Sequence, residues 1–299
     1  AYIVFDDIVN SENPLEYYEL WICNSDLTGH KKVIDSPTPT TSHNGGFVQW
    51  IDNDSIAFCG THGEKVSGKD TKRKIFVVNI NTGNIEFGPY TNGFLSDNNY
   101  GGKILMNITL QSNIGPPGLY QLNTYKNRLK CFFKPEDFFE YKEKHKWFGR
   151  NDPNYWSFTH SKFSPDGKRI AFTVHTGPGG GQHLFISKAE GSDLKIWNRD
   201  VELDTGSDKP LHFLWYDNHS LLGVDQGTED YTPNNLCVKV WDIDGNYIKT
   251  IAGRGCHIAI SPNRKYVASE NFYRTNPIRL FVYRSGHLKP DALAFEHQG

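Results

Sequence analysis

"HSKFSPDGKRIAFTV", residues 160–174, decides the fold, because it joins two short apolar strands through a Ser-Pro-Asp-Gly turn. Pro, Asp and Gly supply the backbone conformations that a tight β-hairpin needs. Related hairpins recur along the chain, the clearest at residues 47–59, 212–224 and 257–269, with a weaker copy at 93–107. Repetition of one strand–turn–strand unit indicates a repeat architecture.

A second kind of hairpin alternates with the first. Six copies of an apolar strand, a turn containing Gly or Asn and another strand lie at residues 19–34, 75–88, 118–133, 183–197, 238–251 and 280–295. The two hairpins together make four-stranded units about 45–65 residues apart, which is the period of a β-propeller blade. We therefore predict an all-β propeller that fills residues 1–299 as one domain. The sequence shows six blade signals, the first without its innermost strand, and a helical insertion at about 135–147.

Composition excludes several classes of function. The formal net charge of −2 gives no electrostatic basis for binding nucleic acid or an anionic membrane surface. No apolar run approaches the roughly 18 residues of a transmembrane helix. The five cysteines are odd in number, widely spaced and without a Cys-x-x-Cys pair, so we expect free thiols. We expect a monomer with neither nucleic-acid nor membrane partners.

Three histidines occupy the same position in successive innermost strands. His160, His212 and His257 each stand four residues before the polar turn. Because side chains alternate along a strand, equivalent positions point the same way, and these imidazoles should converge near the mouth of the central channel. Neutral imidazoles are good ligands for zinc or manganese, and Gln226 is a candidate fourth ligand. The alternative is a ring of hydrogen-bonded polar residues that closes the channel.

The ends of the second strands add polar residues to the same face. They place His62, His175, Gln226 and Tyr273 within a residue of alignment. Segments of this rim also contain Tyr90, Arg150, Tyr155, Trp156 and Arg274. Any one of these side chains alone could be structural, but their coincidence with the aligned histidines favours a binding site.

Four segments carry a resemblance to a known group of proteins. They are "GGFVQWIDNDSIAF" (45–58), "THSKFSPDGKRIAFTVH" (159–175), "LHFLW" (211–215) and "CHIAISPNRKYVASENFY" (256–273). They resemble blade motifs of the propeller polysaccharide lyases, the ulvan lyase and oligogalacturonate lyase type, whose wider relatives include TolB-like propellers. The similarity runs through about residues 42–284. It implies seven blades, although six signals are visible.

The resemblance implies β-elimination on a uronic-acid polysaccharide. That reaction needs a base at C5, a group that neutralises the carboxylate and an acid for the departing oxygen. By resemblance, His43 is the proton-transfer residue, His62 the neutraliser and Tyr90 the catalytic tyrosine. The ulvan-lyase pattern also leads us to expect an arginine where this chain has Leu110.

The remaining predicted site residues bind the sugar or a metal. The substrate-binding candidates are Trp50, Arg150, Tyr155, His175, Tyr273 and Arg274. By resemblance, His160, His212 and His257, with Gln226, hold a divalent metal, zinc or manganese rather than calcium, in a structural or catalytic role. No organic cofactor is expected. The expected partner is an acidic polysaccharide or oligosaccharide, and the expected location is secreted or periplasmic, although no signal peptide is visible.

Two other functions remain open. One is a non-catalytic propeller that binds a protein or a glycan. The other is a propeller detached from a hydrolase domain, which ranks low because the chain has no Gly-x-Ser-x-Gly elbow. The glycine-rich run at 177–182 lies between strands rather than before a helix, so it does not indicate a phosphate site.

Overall fold

The computed structural model describes most of the chain and divides it into two compact units. The described residues are 2–8, 17–24, 28–33, 38–39, 49–60, 73–91, 94–108, 116–144, 156–176, 182–197, 211–225, 237–253, 257–270 and 278–297. Unit 1 comprises Ala1–Glu140 and Asn151–Ser161, and unit 2 comprises Tyr141–Arg150 and Lys162–Gly299. Each unit is described by itself.

The N-terminal sheet of unit 1 has an irregular order. Its strands are β1 (Tyr2–Ile8), β2 (Tyr17–Cys23), β3 (Lys31–Lys32) and β4 (Thr38–Pro39). Strand β2 pairs along its length with β1, while β3 and β4 pair with different parts of β2. This sheet is therefore not a simple four-stranded meander.

The next two sheets are antiparallel meanders in chain order. The first contains β5 (Gln49–Trp50), β6 (Ser55–Gly60), β7 (Arg73–Asn79) and β8 (Ile85–Thr91). The second contains β9 (Phe94–Tyr100), β10 (Lys103–Ile108), β11 (Gly118–Asn123) and β12 (Arg128–Phe133). A 3-10 turn (Pro135–Phe138) and helix α1 (Phe139–Lys144) follow, within the predicted helical insertion.

Three further meanders complete the described chain. They are β13 (Ser157–Phe163), β14 (Arg169–His175), β15 (Gln182–Lys188) and β16 (Lys195–Ile196); β17 (Leu211–Trp215), β18 (Ser220–Asp225), β19 (Cys237–Asp242) and β20 (Tyr247–Ala252); and β21 (Ile258–Ile260), β22 (Tyr266–Glu270), β23 (Ile278–Arg284) and β24 (Ala292–His297).

Five four-stranded meanders give the all-β, bladed architecture that the hairpin repeats predict. The blade count implied by resemblance is not confirmed, since the described strands form five such blades and one sheet of different order. The difference lies in the N-terminal sheet, where β3 and β4 share one partner strand instead of continuing the meander.

The turns recur because the same side-chain chemistry closes them. The Ser164 hydroxyl donates to Asp166 at 2.7 Å and accepts from the Arg169 N–H at 3.0 Å. In another blade the Ser261 hydroxyl donates to Asn263 at 2.9 Å and accepts from the Tyr266 N–H at 3.0 Å. A serine followed two residues later by Asp or Asn thus stabilises the turn that starts the second strand.

Apolar cores lie within each unit. In unit 1, Phe58 stacks on Phe76 with ring centroids 5.0 Å apart, inside a buried cluster that Ile56 and Val78 complete. In unit 2, fully buried Trp197 packs edge-on against Trp241 and donates its indole N–H to the Asp242 carbonyl at 3.0 Å.

Two sequence-based expectations concern membranes and thiols. Within the described ranges, no helix combines the length and apolar composition that crossing a bilayer requires. The described thiols of Cys23, Cys131 and Cys237 are free, as expected, and Cys23 is buried. The side chains of Cys59 and Cys256 lie outside the described part of the chain.

Candidate functional site

Two of the three aligned histidines meet in unit 2. His212 is the second residue of β17, and His257 immediately precedes β21. Their ring centroids are 4.1 Å apart with the ring planes inclined by 52°. Equivalent positions in neighbouring innermost strands therefore bring these two imidazoles into contact, as the sequence register predicts.

His160 and His212 share an unusual backbone conformation. Their φ angles are +50° and +48°, in the left-handed region that residues other than glycine seldom adopt. The pairing of β17 with β18 shifts register between Leu211 and Leu214, so His212 lies at a bulge. A bulge re-aims a side chain, and a residue held in this region costs about 1–3 kcal/mol. The two blades thus repeat a strained geometry at the same histidine position.

Glu270, which no sequence pattern singles out, is the partner of His257. It is the last residue of β22, and its Oε1 is hydrogen-bonded to Nδ1 of His257. The Glu270 N–H also donates to the His257 carbonyl at 3.2 Å. The pairing of Ile258 with Ser269 places residues 257 and 270 opposite each other, at the open end of the hairpin.

The metal-ligating side chains among the described residues do not form a complete metal site. Among the described residues, no group of three or more His, Cys, Asp or Glu side chains is arranged to hold an ion. Tetrahedral zinc with bonds of about 2.0–2.1 Å would hold two imidazole centroids about 5 Å apart. The 4.1 Å separation of His212 and His257 is closer, so the rings contact each other as packed groups. Zinc or manganese binding therefore stays a prediction.

The other predicted metal ligands do not alter that result. His160 is half-buried in unit 1, within β13, and has its own contacts. Gln226 lies outside the described residues. The described structure thus brings together two of the four predicted ligands.

The predicted substrate-binding residues have varied placements. His175 ends β14 opposite Gln182 and is half-buried, with contacts of its own. Trp50 is partly buried and packs against the Phe58–Phe76 cluster, while its carbonyl accepts a hydrogen bond from the Asn99 side-chain amide. Trp50 therefore contributes to the core of unit 1.

Several predicted residues lie outside the described part of the chain. They are His43, His62, Leu110, Arg150, Tyr155, Tyr273 and Arg274. Tyr90 is described only in its backbone, which pairs with Lys74 from strand β8. Trp156 is fully buried and packs edge-on against Phe139, so its role is structural.

A buried amine lies next to the strand that carries His212. Lys162 is 4% exposed, and its Nζ is 5.9 Å from the ring centroid of Phe213, the residue after His212. Burial lowers the pKa of Lys162 to about 7, because an apolar surrounding disfavours the charged ammonium. The carbonyl of Lys162 accepts a hydrogen bond from the Trp215 indole at 3.1 Å. The sequence pattern does not indicate that the Lys162 amine is buried.

Comparison with known proteins bears on the fold. No protein-family model matches the chain, and no curated protein matches it. An oligogalacturonate lyase in complex with manganese superposes with a TM-score of 0.58 and 10% identity, covering 94% of this chain and 76% of the lyase. TolB from Acinetobacter baumannii superposes with a TM-score of 0.56 and 20% sequence identity, covering 94% of this chain and 60% of TolB.

A third solved structure agrees with these two. The β-propeller domain of the Trilobed protease from Pyrococcus furiosus gives a TM-score of 0.51 at 13% identity and covers 98% of this chain and 86% of that domain. The fold is a β-propeller. Identities this low establish the architecture alone, and the chain spans only 60% of the length of TolB. Activity must therefore be argued from the side chains.

Proposed function

We propose that the protein is a polysaccharide lyase that cleaves a uronic-acid-containing glycan by β-elimination. The observation that supports the proposal is the contact of His212 with His257, whose Nδ1 is bonded to a carboxylate. An imidazole held in this way by a carboxylate is a suitable general base. The fold likeness to oligogalacturonate lyase is an analogy that agrees with this reaction class.

The reaction assigns a distinct task to each group. The base takes the proton from C5, the C4–C5 double bond forms and the bond from C4 to the glycosidic oxygen breaks. That oxygen keeps the electron pair and receives a proton from an acid. The resemblance assigns His43 as base, His62 as neutraliser and Tyr90 as the catalytic tyrosine. The described geometry adds His257 as a second candidate for the base.

The proposal includes the partner and the location. The substrate is an acidic polysaccharide or oligosaccharide, and the protein acts where such glycans are found, in the periplasm or outside the cell. A divalent metal on His160, His212, His257 and Gln226 is a separate proposal, in which His257 would be a metal ligand and His43 the base. Metal analysis of the purified protein tests it: bound zinc or manganese that is lost in His212→Ala supports the metal site.

The test of function is the ultraviolet absorbance of the unsaturated uronate product. The protein is incubated with polygalacturonate, ulvan, alginate and other acidic polysaccharides, with and without added manganese. An unsaturated product supports the proposal, and its loss in His257→Gln or in His43→Ala identifies the base. His219→Ala is the matched control, because His219 is exposed in the turn at the other end of β17. Absence of product from every polysaccharide overturns the proposal.

Binding without cleavage would point to the alternative function. A glycan that binds the protein tightly and is recovered unchanged would identify a non-catalytic glycan-binding propeller. In that case His43→Ala and His62→Ala should leave the affinity unchanged.

A further inference from the structure

We infer that Glu270 is a positioning residue that fixes the tautomer of His257. A carboxylate offers only hydrogen-bond acceptors, so the ring nitrogen that contacts Glu270, Nδ1, must carry the proton. In the neutral imidazole the proton on Nδ1 leaves a lone pair on Nε2. The inference rests on the proposed function, because that lone pair is what a base at C5 requires.

The sheet holds the two residues opposite each other. Strands β21 and β22 pair in register from Ile258 with Ser269 to Ile260 with Val267, and the Glu270 N–H continues the ladder to the His257 carbonyl at 3.2 Å. The carboxylate is thus placed by backbone pairing, which positions a side chain more accurately than a loop does.

His212 limits the movement of the same ring. Its imidazole lies against that of His257, with the ring centroids 4.1 Å apart, while Glu270 holds Nδ1. The bulge at His212 directs its ring to this place. Within the described residues, His257 is therefore held at Nδ1 by Glu270 and packs against the His212 ring, and Nε2 is the ring nitrogen that does not contact Glu270.

A simple surface ion pair would have different consequences. The His257 side chain is 54% exposed and that of Glu270 is 27% exposed. An exposed pair of this kind contributes at most about 1 kcal/mol to stability. Removing a carboxylate that orients a ligating histidine in a metal site typically costs about 10–100-fold in activity, and we expect a loss of that size when Glu270 no longer orients His257. Measurements of thermal stability and of turnover therefore distinguish a surface ion pair from a carboxylate that orients His257.

The experiment follows the tautomer of His257 directly. Long-range ¹H–¹⁵N spectra are recorded for the protein with ¹⁵N-labelled histidine at mildly alkaline pH. His257→Gln assigns the signal. We expect protonated Nδ1 in the wild type and in Glu270→Gln, whose amide oxygen still accepts, and a shift toward protonated Nε2 in Glu270→Ala.

Turnover of the glycan is the second measurement. Glu270→Ala should lower kcat about 10–100-fold with a smaller effect on KM, and Glu270→Gln should retain more activity. Asp291→Asn is the matched control, because Asp291 contacts the exposed His287 at 3.2 Å in the same unit. That variant should leave both the His257 signal and kcat unchanged.

The two proposals can fail separately. If the wild type cleaves no glycan, the proposed function fails, while the spectra still test the tautomer. The inference about Glu270 is overturned if wild-type His257 carries its proton on Nε2, or if Glu270→Ala leaves the spectrum unchanged. It is also overturned if Glu270→Ala, folded normally by circular dichroism, keeps full activity.

Discussion

Replacing the buried Lys162 by methionine should stabilise the protein, most strongly at neutral and acid pH. Burial lowers the pKa of the amine from the ordinary 10.5 to about 7. Between these values the unfolded chain binds one proton more than the folded chain, so the free energy of unfolding rises with pH. Below about pH 7 both states bind the proton, and the folded state carries the full cost of a buried ammonium.

The size of the effect follows from the pKa. One pKa unit corresponds to about 1.4 kcal/mol, so a pKa of about 7 corresponds to a cost of about 5 kcal/mol below pH 7. Methionine is unbranched and of similar length, and it can occupy the space beside Phe213. The hydrogen bond from Trp215 goes to the Lys162 backbone carbonyl and survives the change.

Urea unfolding followed by tryptophan fluorescence measures the difference. At about pH 6, Lys162→Met should be more stable than the wild type by several kcal/mol, and the gap should shrink toward about pH 10. Lys168→Met is the control, since Lys168 is exposed and its substitution should change stability by about 0.5 kcal/mol or less. A stability difference that is constant between these pH values would refute the reasoning.

Two further predictions concern packing in unit 2. Gly253→Ala places a Cβ 1.7 Å from the Leu288 carbonyl oxygen, so the backbone must move, and the melting temperature should fall by the equivalent of about 1–3 kcal/mol. An unchanged melting temperature would contradict this close approach. Trp197→Phe removes the 3.0 Å hydrogen bond to the Asp242 carbonyl and should lower the urea midpoint by the equivalent of about 1–3 kcal/mol. A midpoint equal to that of the wild type would show that this bond contributes nothing.

Local sequence was sufficient to predict the hairpins. The turn at Ser164 and the turn at Ser261 each contain their own acceptor two residues later, and the flanking strands are apolar. Such interactions join residues close in sequence, so the sequence predicts them without knowledge of the tertiary structure. The number of blades depends on pairing over longer distances. At the N-terminus, β3 and β4 share β2, which no local hairpin pattern specifies.

The candidate site was predictable only in part. The common spacing of His160, His212 and His257 before their turns anticipated the contact of the last two, because strand periodicity fixes which way equivalent residues point. Metal binding at these residues stays a prediction; the structure shows that His212 and His257 pack ring against ring. Whether two imidazoles share an ion depends on distances of a few tenths of an ångström, which spacing in sequence does not determine.

The sequence by itself determined that this chain is an all-β propeller, that the strands of its five meanders pair as consecutive hairpins and that histidines recur at one strand position. Only the tertiary structure decided that Glu270 binds His257, that His212 lies at a bulge and that Lys162 is buried beside Phe213. The physical reason is that each of these features arises where strands meet. Register and burial there depend on neighbours that a residue acquires only when the chain has folded.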